Sequence, residues 1–168
     1  MKNSNLLLEL FLIIILGFSQ SCVNNNQKIG NYSDDLSAES KSVITNEIMD
    51  LTTNWADANK NMDADKAIEL WDSSTELMFA ENGMFFPNRD SLYAYLKGFY
   101  ASTTSMDLQW QKRVVVPLSL NAASMSGYFH FKAIFKTGDI FEGNSMFTGV
   151  FVRKNNKWIL IHGHESVK

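Results

Sequence analysis

Residues 147–166 read Phe-Thr-Gly-Val-Phe-Val-Arg-Lys-Asn-Asn-Lys-Trp-Ile-Leu-Ile-His-Gly-His-Glu-Ser. Apolar side chains recur with a period of two on either side of Asn155-Asn156, a pair that tolerates the left-handed backbone of a tight turn. The stretch predicts a hairpin in which strand Ile140–Lys154 returns as Lys157–Ser166. Working outward toward the N-terminus, Ala123–Lys136 is another strand, separated by Thr137-Gly138. Leu108–Leu120 is a further one, ended by Asn121. Pro117 has no N–H to give a ladder, so it marks a sheet edge or a bulge.

Upstream of Met106 the period changes. Ile44, Ile48, Leu51, Trp55, Ala58 and Met62 recur at steps of four and three, which predicts a long amphipathic helix with Ser37 as its N-cap. Asp63 caps a short second helix carrying Ala67, Leu70 and Trp71. Glu76–Glu81 and Met84–Phe86 read as short strands around the turn residues Asn82-Gly83. Asn88 caps a third helix carrying Leu92, Leu96 and Phe99. Helices first and a long antiparallel meander afterwards define an α+β fold, with the helices on one face of the sheet.

Several of these stretches resemble one family. Asp63-Ala64-Asp65 resembles the opening of its short second helix, and Asn88-Arg89-Asp90-Ser91-Leu92 the opening of its third, with Asn where Gly is usual. Phe147–Arg153 followed by Trp158–Ser166 resembles its closing hairpin and is the most specific part. The family is the nuclear transport factor 2-like superfamily, in its SnoaL-like branch. The resemblance implies three N-terminal helices packed on a strongly curved, mostly antiparallel sheet, a cystatin-like cone with a pocket inside. It also implies diverse functions, among them isomerases, dehydratases and cyclases, so fold alone names no reaction.

Facing residues on paired strands share a face. With Asn155-Asn156 as a two-residue turn, Arg153 faces Trp158, Phe151 faces Leu160, Gly149 faces His162 and Phe147 faces His164. With Thr137-Gly138 read the same way, Ile134 faces Phe141, His130 faces Ser145 and Tyr128 faces Phe147. One face then holds Tyr128, His130, Ile134, Phe141, Ser145, Phe147, Phe151, Trp158, Leu160, His162 and His164. The other holds Phe129, Phe131, Phe135, Ile140, Met146, Val150, Val152, Ile159 and Ile161. An extra residue in the Thr137-Gly138 turn would flip the earlier strand.

The mixed face suits a ligand pocket, which needs apolar walls and a few polar groups. Expected pocket residues are Trp55, Phe79, Tyr95, Trp110, Tyr128, His130, Ser145, Phe147, Trp158, His162 and His164. His164 and His130 are the candidates for acid–base work, with Asp63, Asp72 or Tyr95 as partners. Hydrogen-bonded structural histidines are the alternative. No metal site or cofactor is expected. His130 and His164 lie two strand spacings apart, about 9–10 Å, whereas zinc ligands must all reach ~2.0–2.1 Å. Arg89 could meet an anion at its helix start or be a plain exposed charge. The second, uniformly apolar face calls for cover, either by a second copy of the chain or by the N-terminal segment or first helix.

The chain has 168 residues with 15 basic and 18 acidic side chains, a net charge of −3, which gives no electrostatic footing for nucleic acid. Its only cysteine, Cys22, excludes an intrachain disulfide. Lys2 is followed by Leu6–Phe18, apolar except for Glu9 and Gly17 and too short to span a bilayer, which takes roughly 20 apolar residues. It reads as a signal peptide over residues 1–21. Ser21-Cys22 resembles a bacterial lipoprotein signal, in which the cysteine thiol is acylated. Ordinary secretion is the alternative, because Ser19 and Ser21 also satisfy the small-x-small rule. Residues 22–36 form a polar tether and 37–168 the folded domain.

These features lead to an exported domain of the bacterial cell envelope, anchored through Cys22 or secreted, which binds a small, largely apolar ligand in its cone. The alternatives are an acid–base enzyme of the isomerase, dehydratase or hydrolase kind, centred on the histidines, and a dimeric module that receives another envelope protein.

Overall fold

The computed structural model describes residues 36–73 and 77–167. Cys22, the signal segment and nearly all of the tether lie outside the described residues, as does Glu76. Helix α1 spans Ala38–Lys60 and helix α2 spans Ala64–Ala67, continued by a 3₁₀ turn over Ile68–Leu70. Strands β1 (Met78–Glu81) and β2 (Met84–Phe86) precede helix α3 (Arg89–Ser102). Strands β3 (Thr103–Ser119), β4 (Ala122–Phe135), β5 (Ile140–Lys154) and β6 (Lys157–Val167) follow.

The helix starts are set locally. Ser37, Asp63 and Asn88 each accept a hydrogen bond from the backbone N–H three residues on, and each opens its helix. The strands form one curved six-stranded sheet in the order β2-β1-β6-β5-β4-β3. All neighbours are antiparallel except β1 and β6, which run parallel. Pro117 sits on β3, an edge strand, beside a register shift, as its missing N–H requires. Helix α1 lies across the sheet, burying Ile44, Ile48 and Trp55 against Phe129, Phe147 and Phe151. Arg113 ties helix to sheet by donating to the Met49 carbonyl at 2.7 Å and to the Thr52 hydroxyl at 2.8 Å. The Trp110 ring N–H donates to the Thr52 carbonyl at 3.1 Å.

Two one-residue shifts overturn the expected face assignment. The β4–β5 connection is not a two-residue turn at Thr137-Gly138. It takes in residues 136–139, with the Phe135 N–H bonded to the Asp139 carbonyl, so that Ile134 faces Ile140. Phe129 then opposes Ser145, and Tyr128 opposes Met146. Phe129 and Phe131 therefore turn inward, while Tyr128 and His130 turn outward.

The β5–β6 hairpin begins as expected. Asn155 and Asn156 both take positive φ (51° and 61°), and Phe151 faces Leu160. The next pair is Val150 with His162, which leaves Ile161 as a bulge. Beyond it the strand is inverted. Gly149 opposes Gly163 and Phe147 opposes Glu165, both pairs pointing inward, while His162 and His164 stand on the exposed face.

The outer face keeps Met146, Val150, Val152, Ile159 and Ile161 from the expected apolar set and loses Phe129 and Phe131 to the core. It gains Tyr128, Val114 and Val116. Met146 is 63 % exposed and Val114 48 %, so the described residues leave this face uncovered.

Candidate functional site

A cavity of about 280 Å³ opens between helix α3 and the inner face of the sheet. Helix α1 supplies Trp55 and Asn59 at its base, and Trp71 follows the 3₁₀ turn. Helix α3 presents Leu92, Tyr95, Leu96, Phe99 and Tyr100 along one side. Phe129 and Phe131 form the floor, and Phe79, Glu81 and Glu165 close one end. The walls are mostly rings. Trp71 and Phe79 have centroids 4.4 Å apart, and Phe131 and Phe141 are 4.7 Å apart.

The polar groups are few and grouped. Glu81 and Glu165 are register partners on the parallel strands β1 and β6, so their side chains leave the sheet on one side about 4.8 Å apart. Ser145, fully buried, places its hydroxyl 2.7 Å from Glu165 Oε1 and 3.3 Å from the Ser166 carbonyl. A hydroxyl has one proton. With Glu165 ionised, Ser145 donates to it; with Glu165 protonated, the carboxyl donates to Ser145, which donates to Ser166. Asn82, held with φ 48°, accepts from the Val167 N–H at 2.8 Å and pins the end of β6 to the β1–β2 turn. The Tyr100 hydroxyl donates to Asn59 Oδ1 at 2.6 Å, and the Asn59 amide donates to the Trp55 carbonyl at 2.8 Å.

Burial dominates the electrostatics. It pushes the Glu165 carboxyl up to about 8, with Glu81 adding to the rise and the Ser145 hydrogen bond opposing it. Burial also pushes Glu81 up to about 7. Tyr95 is raised to about 12 by burial first and by the two carboxylates second. Tyr100 is raised for the same leading reason. Two carboxyls side by side in a poorly hydrated pocket hold a proton that water would remove.

Of the residues expected in the pocket, Trp55, Phe79 and Tyr95 line the cavity. Trp110 and Phe147 pack beside it in an aromatic cluster with Trp55 and Phe129. Ser145 reaches it through Glu165. Tyr128, His130, His162 and His164 are on the opposite face, for the two register reasons above. His130 sits 3.4 Å from Glu142, beside the Lys132–Glu142 pair at 2.9 Å. Trp158 faces a separate open cleft, donates to Glu47 at 2.8 Å and lies under the Arg153 guanidinium.

The carboxylate partners expected for the histidines are elsewhere too. Asp63 caps α2 and pairs with Lys66 at 3.6 Å. Asp72 is buried in the Trp158 cleft, 2.7 Å from the Lys154 ammonium. Arg89 donates to the Ile68 carbonyl at 3.3 Å, tying the start of α3 to the 3₁₀ turn. Glu81 and Glu165 are the groups that sequence reasoning missed. The signal was Gly149 and Gly163. Setting these two glycines opposite each other gives the bulged register and turns Glu165 inward.

A model of the SnoaL-like domain matches residues 48–168, and the chain belongs to that family. Solved structures share the fold at low identity. A nuclear transport factor 2-like superfamily protein from Salmonella enterica aligns with TM-score 0.69 and 17 % identity, over 75 % of this chain and 92 % of that one. A candidate dehydratase of the same superfamily from Streptomyces avermitilis aligns with TM-score 0.67 and 14 % identity, over 76 % and 97 %. A protein with a cystatin-like fold from Caulobacter vibrioides aligns with TM-score 0.64 and 15 % identity, over 74 % and 89 %. Among the curated proteins there is no significant match.

Proposed function

We propose that this SnoaL-like domain binds a small, largely apolar molecule in the cavity beneath helix α3. The supporting observation is the cavity itself, about 280 Å³, walled by aromatic rings, with polar groups gathered at one end. The test is ligand-detected NMR with naphthol against the wild type and Leu96→Trp, which fills the cavity from α3. Binding should be strong in the wild type and lost in the variant. Equal binding by both would overturn the reading.

A second reading, proton transfer to a bound substrate, moves from the histidines to the carboxyls. Its support is a buried Glu165 raised to about 8 beside Glu81, which suits a group that gives and takes protons near neutrality. A turnover rate for any carbonyl or hydroxyl substrate that is unchanged in Glu165→Gln would refute it.

We also propose that the domain is exported and anchored through acylated Cys22, on the strength of Leu6–Phe18 and Ser21-Cys22. The mass of the N-terminal peptide from the host's membrane fraction tests this. None of the described helices is long and apolar enough to cross a membrane. A second copy on the exposed sheet face around Met146 and Val114 completes the proposal. Sedimentation of Met146→Glu should then show monomers where the wild type shows dimers.

A further inference from the structure

We propose that the cavity selects a small lipophilic amine, whose ammonium group docks on Glu81 and Glu165 while its hydrocarbon or aryl body lies among the aromatic rings. The inference rests on the binding reading above and names the class of ligand.

The cavity's charge inventory comes first. Its lining contains two carboxyl groups and no Lys, Arg or His. Among the described residues neither carboxyl has a cation within ion-pair distance. A buried carboxylate without a cationic partner is costly, so the empty pair holds a proton that an incoming cation can replace.

Geometry then places that charge. Glu165 is only 9 % exposed and lines the cavity. Ser145 engages its Oε1, and no side chain or backbone N–H among the described residues is bonded to its Oε2. Glu81 stands directly beside it on the neighbouring strand. An ammonium, with three donors, can reach both.

The surroundings suit a cation that carries an apolar body. The Phe79 ring covers Gly163, two residues before Glu165; a Cβ on that glycine would lie 3.1 Å from the ring. Trp71 packs against Phe79 at a tilt, and the Tyr95 phenol is close enough to the carboxyls to be raised by them. Ring faces next to an ammonium add cation–π attraction. A carboxylate ligand would meet like charge, and a neutral one would leave the pair unrelieved.

Docking of the cation favours ionisation of both carboxyls, so the pair should release a proton to the buffer on binding. The test is calorimetric titration of the full chain, purified from its host, with phenethylamine, phenethyl alcohol and phenylacetate near pH 7. Each titration is run in two buffers of different ionisation enthalpy. The amine should bind at least about tenfold tighter than the alcohol, the worth of one charge-assisted hydrogen bond. It should release a fraction of a proton, and phenylacetate should not bind. Glu165→Gln and Glu81→Gln should each lose the preference for amine and keep the alcohol. If amine and alcohol bind equally, the amine proposal fails and the cavity reading stands. If none of the three binds, both fail. Preferred binding of phenylacetate overturns the proposal outright.

Discussion

Glu165→Gln should stabilise the protein, and by an amount that grows with pH. A carboxyl raised in the folded state binds its proton more tightly there than in the unfolded chain. Between its ordinary value of 4.5 and the folded value of about 8, the unfolded chain gains by ionising and the folded one does not. Stability is therefore lost as pH rises through that window and levels off above it. A tenfold change in acid constant is worth about 1.36 kcal/mol, so the full shift sets an upper bound of roughly 5 kcal/mol. Electrostatic coupling to Glu81 reduces the expected gain to about 2–3 kcal/mol at pH 8. At pH 5 both forms are neutral at this site, and the variant should lie within ~1 kcal/mol of the wild type. The measurement is urea unfolding followed by tryptophan fluorescence at pH 5, 6.5 and 8. Because the two proteins share every titrating group outside the pair, their difference reports the coupled Glu165–Glu81 pair. A difference that is flat across this range, or a variant less stable at pH 8, would refute a buried, protonated Glu165.

Three further substitutions test the packing around the site. Ser145→Ala removes the hydroxyl that links Glu165 to the Ser166 carbonyl and should cost about 1–3 kcal/mol in urea unfolding. Tyr100→Phe leaves Asn59 Oδ1 without its donor and should cost about 1–2 kcal/mol, with the fold unchanged by circular dichroism. Gly149→Ala places a methyl 2.6 Å from Leu160 Cδ1 and 2.9 Å from the Phe147 ring, and should lose about 1–3 kcal/mol in thermal unfolding.

What the sequence made legible was mostly local. Ser37, Asp63 and Asn88 bond to an N–H three residues away, so each cap could be read from its own neighbourhood. Asn155-Asn156 likewise carries its own turn chemistry. Trp55, which lines the cavity, lies on the apolar stripe that predicts the first helix, because apolar periodicity also reports burial. Register beyond a turn is different, because it depends on which side chains the rest of the fold accepts. Thr137-Gly138 fits a two-residue or a longer turn equally well. The longer one prevails here, with Phe129 and Phe131 completing the core and Tyr128 and His130 left outside.

The bulge at Ile161 shows how one residue decides the chemistry of the site. In the unbulged register two imidazoles would point into the core from β6 and Glu165 would face solvent. The bulged register instead sets Gly163 against Gly149 on the inner face, a bare patch that the Leu160 side chain covers and that Phe79 and Trp71 approach. Those contacts need the absence of two Cβ atoms, because a Cβ on Gly149 would sit 2.6 Å from Leu160. Close packing of aromatic and aliphatic groups is thus gained at the glycines, and it sets the direction of everything after them. Two residues later Glu165 must turn inward, where the Ser145 hydroxyl and a carboxyl pushed toward its neutral form make its burial tolerable. The acidic end of the cavity and the histidine-bearing outer face are therefore two results of a single inversion in β6.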